Sequence, residues 1–222
     1  MALTVHAQCS YASYSRDAIP WRQGDYNANK LVRSLKGEAI NGYAEIRDAR
    51  GNWHRIAMGS RQPALSCFAQ WALQTLRAHA EFPVVLVPMP SSSCVDFLAA
   101  CPPNDMAEAV RNLAPDQVRI ARFLKFDRPL QKSHDGGTRN ADVLRAHLVL
   151  QAPLLPPPNV RFVLIDDVKT TGGHIRACAA KLRSAGIAID MALVAGATVR
   201  DQVPDPFNIA PVDLEAPLLP FL

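Results

Sequence analysis

The stretch from Arg161 to Ala185, RFVLIDDVKTTGGHIRACAAKLRSA, constrains this chain more than any other. Phe162 to Ile165 is an unbroken apolar run, which predicts a strand buried on both faces. Asp166 and Asp167 follow at once. A loop of small residues, Val168 to Gly173, carries two threonines and two glycines. From His174 the apolar spacing becomes helical: Ile175, Cys178, Ala179 and Leu182 share one face, with Arg176, Lys181 and Arg183 on the other. Gly186 supplies the stop.

A strand, a loop of small residues and a helix N-terminus make a ready anion site. The first helical turn has unpaired N–H groups and a partial positive charge. Glycine lets the backbone wrap a phosphate closely, and threonine hydroxyls add donors. The two aspartates would repel a phosphate beside them and suit hydroxyls or a cation instead. The stretch therefore asks for a sugar phosphate, with phosphate in the loop and ribose hydroxyls on the acids. Three other readings compete. A nucleotide triphosphatase needs a GxxxxGK[ST] loop, and a dinucleotide fold needs GxGxxG; the sequence has neither. A plain βα connection is the commonest fate of such a unit, but paired acids at the end of a buried strand are costly without a partner or a task.

Val163 to Gly173, VLIDDVKTTGG, resembles the phosphoribosyl pyrophosphate signature of type I phosphoribosyltransferases: apolar strand, two acids, an apolar residue, a variable one, then Thr-Thr-Gly. The run Asp25 to Gly37, DYNANKLVRSLKG, resembles the entry to the competence-associated, ComF-like branch, where a tyrosine precedes a helix ending in Leu-Lys. The resemblance covers about Tyr26 to Thr198. It implies an α/β fold, a doubly wound parallel sheet with an N-terminal extension and a mobile hood or lid. It also implies phosphoribosyl pyrophosphate as donor, magnesium as cofactor, and an unknown base or amine as acceptor.

The same resemblance assigns roles. Asp166 and Asp167 hold the ribose hydroxyls, directly or through metal-bound water. Lys169, Thr170, Thr171, Gly172, Gly173 and His174 take the 5-phosphate. The Pro-x-Pro turn Pro88-Met89-Pro90 and the serines after it, Ser91, Ser92 and Ser93, stand where the family binds diphosphate. Lys132 and Arg139 reach the diphosphate once the lid closes; Gln131 and Arg139-Asn140 match the family's hood. The sequence also departs from the pattern. Cys94-Val95-Asp96 follows the serines where the family often has an arginine, and the zinc-binding cysteine module that often precedes ComF-like domains is missing.

The remaining elements follow in chain order. Leu3 to Gln8 alternates apolar and polar residues and predicts an edge strand; Ser10 to Gln23 reads as loop. Asp25 is placed to cap a helix through Lys36, and Gly37 ends it. Tyr43–Ile46 and Trp53–Ala57 flank a turn-like segment and predict a hairpin. Ser66 to Ala80 reads as a helix on which Trp71 packs, and Phe82 to Val87 as a strand. Asp96–Cys101 and Asp105–Leu113 read as helices broken by Pro102-Pro103. Asp127 to Asn140 has the polar, basic character of a lid. His134 in it is not assigned a catalytic role. Pro153 to Pro158 is an extended connector. Ile187 to Val194 is the last clear strand. Beyond it, prolines at 204, 206, 211, 217 and 220 exclude a regular helix or central strand. The apolar residues Phe207, Ile209, Val212, Leu214 and Leu218 pack this tail on the core or on a second subunit, which leaves a homodimer open.

At 222 residues the chain can bury a sizeable core. It divides into an extension with hood elements (1–60), a transferase core (61–203) and a tail (204–222). The net charge of +4 fits an anionic small substrate. Nucleic acid remains an alternative through the basic segment Arg119 to Arg145, with the sugar-phosphate site serving as a sensor; a further alternative is another reaction, such as that of a toxin, on the same fold. The five cysteines include no CxxC pair, which argues against a zinc ribbon or disulfide framework and points to a reducing cytoplasm. No signal peptide or membrane span is expected.

Overall fold

The structure is a computed structural model. It describes residues 2–131, 138, 140–151 and 159–216. Lys132, His134, Arg139, the connector from Pro153 to Pro158 and Leu218 lie outside the described residues. The chain runs β1 (Thr4–Ala12), α1 (Gln23–Leu35), β2 (Tyr43–Arg47), β3 (Trp53–Ala57), α2 (Gln62–His79) and β4 (Val84–Pro88). It continues with α3 (Pro102–Leu113), β5 (Val118–Ile120), β6 (Leu124–Phe126), α4 (Ala141–His147) and β7 (Leu148–Leu150). The last elements are β8 (Arg161–Lys169), α5 (Gly173–Arg183), β9 (Ile189–Val199) and β10 (Val212–Asp213).

A six-stranded sheet in the order β10-β1-β9-β8-β4-β5 forms the centre. All its strands run parallel except the two-residue β10. The run Phe162–Ile165 becomes the middle of β8, with both faces covered, because successive side chains serve two different cores. Val163 and Ile165 face one cluster with Leu86, Leu193 and the apolar sides of α1, α2 and α3. Phe162 and Leu164 face another with Val85, Val87, Val194 and α5. The result is an α/β protein with a mostly parallel sheet between two helical layers. Among the described residues no helix is long and apolar enough to cross a membrane.

The connections leave β4 and β8 on opposite sides. From β4 the chain passes through α3 to β5; from β8 it passes through α5 to β9. These diverging exits open a crevice at the carboxyl ends of two neighbouring strands, the usual ligand position in open α/β sheets. The hairpin β2–β3 and the small sheet β6–β7 stand outside the central sheet.

Several local expectations are corrected. β1 is not an edge: it pairs with β9 from Thr4 to Ala12 and is flanked on its other side by β10. It also runs past Gln8, so the loop begins only at Ser13. Asp25 lies inside α1, not before it. Its carboxylate accepts a 2.8 Å hydrogen bond from the Arg22 N–H, so it closes the helix start from the third position. Pro102-Pro103 does not break a helix but begins α3, since proline's missing N–H costs nothing in a first turn. Asp96–Cys101 forms turns. β9 continues to Val199, beyond the expected end at Val194.

At Gly196 of β9, α1 packs tightly on the sheet. A Cβ there would lie 2.8 Å from Val32 Cγ2 and 3.1 Å from Tyr11 Cβ. Gly196→Ala is expected to destabilise the fold by about 1–3 kcal/mol. Denaturant unfolding should show Val32→Ala recovering part of that loss, because it removes the clashing methyls; additive losses would contradict the contact.

Candidate functional site

The crevice is an open cavity of about 770 Å³. Its floor carries Asp166, Asp167, Thr170 and His174, one wall carries Ser91, Ser92 and Ser93, and the other Tyr11, Lys36, Glu38 and Thr198. Phe126, Leu130 and Leu144 roof it from the small sheet and α4. A second hollow beside Cys94 and Cys101 has room for only about 10 Å³, too little for an organic ligand.

The floor is set by β8. The first carboxylate, Asp166, is buried; its Oδ1 accepts a 2.9 Å bond from the Asp167 N–H, and its Oδ2 lies 3.6 Å from His174 Nδ1. His174 sits in the first turn of α5, with its ring stacked on Phe126 at 5.8 Å and its Nε2 buried without a hydrogen-bond partner. Burial opposes a charged ring there, but the Cys178 sulfur and the Asp166 carboxylate outweigh it and raise His174 well above the ordinary imidazole range. The His174 ring and the Asp166 carboxylate are therefore coupled across the loop. Asp167 keeps some surface in the cleft, yet its surroundings are dense enough to desolvate it. Burial first, and then the neighbouring Asp166 charge, push it up to about 7, against the pull of Lys36 and His174.

The walls are equally specific. On the serine side, the Ser92 carbonyl accepts from Leu130 N–H at 2.7 Å and the Cys94 carbonyl from Phe126 N–H at 2.8 Å. The small sheet is thus tied to the serine turn. On the other side, Lys36 closes α1 and meets Glu38 at 2.6 Å across Gly37, whose φ of +77° makes the turn. Burial disfavours the Lys36 charge, but Glu38 more than restores it.

The loop between β8 and α5 is braced from behind. Gly172 caps α5 at φ +82°, and a Cβ there would lie 2.8 Å from Leu214 Cδ2. Arg176 ties the two segments: Nε and Nη2 donate to the Leu214 carbonyl at 3.0 and 2.9 Å, and Nη1 donates to the Thr171 carbonyl at 3.3 Å. Of the tail's apolar residues, Leu214 is buried in this contact and Phe207 packs on the larger core, whereas Val212 is 42% exposed.

The sequence-derived residues separate into three groups. Asp166, Asp167, Thr170, His174, Ser91, Ser92 and Ser93 line one cavity. Lys169 ends β8, Thr171 and Gly172 form the loop and Gly173 begins α5, and none of them lines the cavity; burial and Arg176 hold the Lys169 pKa down. Lys132 and Arg139 lie outside the described residues. Tyr11, Lys36, Glu38, Phe126, Leu130, Leu144 and Thr198 were missed. Tyr11 and Thr198 end parallel strands, and that shared position is the signal that could have found them. Compared with known proteins, the chain matches no protein-family model and no curated protein.

Asp167 gives a pH dependence with a definite sign. Its native pKa of about 7 lies above the ordinary 3.8, so the folded state holds a proton that the unfolded state releases. Its contribution to stability is greatest below the unfolded value, declines as pH rises toward 7 and is level above. Asp167→Asn should therefore raise the melting temperature by a few degrees at about pH 8 and change it little at about pH 4. An equal shift at both pH values would contradict the assigned burial and repulsion.

Proposed function

We propose that the cleft is the active site of a phosphoribosyltransferase. It takes phosphoribosyl pyrophosphate with magnesium, moves ribose 5-phosphate to a nitrogen nucleophile and releases diphosphate. The observation that carries this reading is the meeting of the serine turn, the acid pair and the Thr170–His174 turn on one cavity of about 770 Å³. Two anion-binding turns flanking two carboxylates suit a sugar that bears phosphate at both ends.

In this reading the 5-phosphate lies over Thr170 and the first turn of α5, whose leading N–H groups have no intrahelical acceptor. Charged His174 adds to the positive field there. The ribose hydroxyls meet Asp166 and Asp167, and the diphosphate lies against Ser91 to Ser93. Departure of diphosphate from the anomeric carbon leaves oxocarbenium character on the sugar, which two carboxylates favour. Lys36 stands near enough to Asp167 to lower its pKa and brings a positive charge to the opposite wall. The apolar roof of Phe126, Leu130 and Leu144 suits a planar acceptor and limits water.

Magnesium fits the donor set. Adjacent carboxylates are hard oxygen donors, and the repulsion that lifts Asp167 is what a divalent cation would relieve. Among the described residues no three His, Cys, Asp or Glu side chains gather into a metal cage. Asp166 and Asp167 would therefore hold the ion together with water and substrate oxygens. When bound, it would neutralise charge on the leaving diphosphate.

The test is magnesium-dependent diphosphate release across a panel of base and amine acceptors. The wild-type chain should release diphosphate with at least one acceptor. The double variant Asp166→Asn/Asp167→Asn should lose it by about a thousandfold or more while melting as a folded protein. Wild-type-like release by that variant would overturn the reading.

A further inference from the structure

We propose that the outer face of the β2–β3 hairpin is a binding site for single-stranded nucleic acid. The hairpin's inner residues Ala44, Ile46 and Ile56 are buried against the helices. Alternation places Tyr43, Glu45, Arg47, Trp53 and Arg55 on the opposite face, and all are exposed. Two aromatic rings at such exposure, 47% for Tyr43 and 67% for Trp53, are unexplained by packing.

Each ring is paired with a guanidinium. Arg55 lies over Tyr43 at 4.2 Å from the ring centre, and Arg47 over Trp53 at 5.4 Å. Among the described residues neither arginine forms a salt bridge. Arg50 at the turn is exposed as well. The face carries a single opposing charge, Glu45, because Asp48 is consumed within the turn. It accepts from Arg50 N–H, Asn52 N–H and His54 Nε2 at 2.8, 2.9 and 2.8 Å. The face is therefore positive and aromatic together. Phosphates find guanidinium groups, and unpaired bases find ring surfaces, the combination by which single strands are held without sequence readout. The register sets Trp53 opposite Arg47, four residues along from Tyr43. That is about 13 Å of ribbon, so the rings would take bases from separate nucleotides.

Strand addition by a second copy is less well served. The outward carbonyls of β2 are already engaged, Tyr43 by Lys30 Nζ at 2.8 Å and Glu45 by Asn27 Nδ2 at 3.0 Å. Of the described basic residues between Arg119 and Arg145, three are occupied: Arg122 meets Glu108 at 3.7 Å, Arg145 meets Asp142 at 3.6 Å, and Lys125 lies over Phe97. None of the hairpin residues lines the cleft, so the two sites can be tested apart.

Fluorescence anisotropy on the full chain tests the proposal, with a labelled oligothymidylate of about 20 nucleotides and a duplex of equal length. The single strand should bind more tightly than the duplex and weaken as salt rises from about 50 to 200 mM. Tyr43→Ala/Trp53→Ala should weaken single-strand binding about tenfold or more. Arg47→Gln/Arg55→Gln should lower the salt slope by about one to two. Both variants should keep the wild-type melting temperature, and Asp166→Asn/Asp167→Asn should bind like wild type. Equal affinity for duplex, or unchanged binding by both hairpin variants, would overturn the proposal. So would a dimer in sedimentation that Trp53→Ala dissolves, since the face would then belong to a second copy.

Discussion

Two like charges on consecutive residues at the mouth of a buried strand must be relieved, and the rest of the cleft can be understood from how that happens. Asp166 is faced by His174, 3.6 Å away across the loop in the first turn of α5. Asp167 is relieved only in part, by Lys36 at the end of α1 and by His174, so burial and the Asp166 charge still push it up to about 7. The histidine comes from α5 and the lysine from the end of α1. A local electrostatic problem therefore draws on distant parts of the chain. Asp167 is the carboxylate whose surroundings perturb it most, and perturbed acids of that kind cluster at functional sites.

Much of this was legible in the sequence because periodicity and punctuation agree around β8. An apolar run too short for a helix, paired acids, a glycine turn and a 3.6-residue repeat admit few arrangements. The hairpin was legible for a similar reason, since Tyr43–Ile46 and Trp53–Ala57 bracket a glycine-containing turn. The cleft's far wall was not legible. Tyr11, Glu38 and Thr198 become neighbours through the strand order β1-β9-β8, which no local pattern encodes. The misread elements failed in a consistent way. Pro102-Pro103 is a breaker inside a helix and a starter at its first turn, and spacing alone did not fix where that turn lay. β1 alternates like a half-exposed strand, yet His6 and Gln8 are buried, His6 with its ring 4.6 Å from that of His79. Gln8 reaches the Cys67 carbonyl at 3.4 Å.

The tail is better understood as part of the site's support than as an appendage. Leu214 rests on the left-handed Gly172, and Arg176 joins its carbonyl to that of Thr171. The loop cannot move without disturbing both the helix start and the last described strand. A rigid backing keeps the backbone N–H groups of the turn aimed in one direction.

The pairing of β1 with β9 has a consequence for how the molecule is born. β1 leaves the ribosome long before its partner near residue 190, and its other flank is covered only by β10. Until those residues emerge, an apolar ribbon containing Val5 and Cys9 must wait without a ladder. Such distant pairing slows folding and exposes nascent chains to association. Of the described sheet, β1 is thus the strand whose edges stay uncovered longest during synthesis.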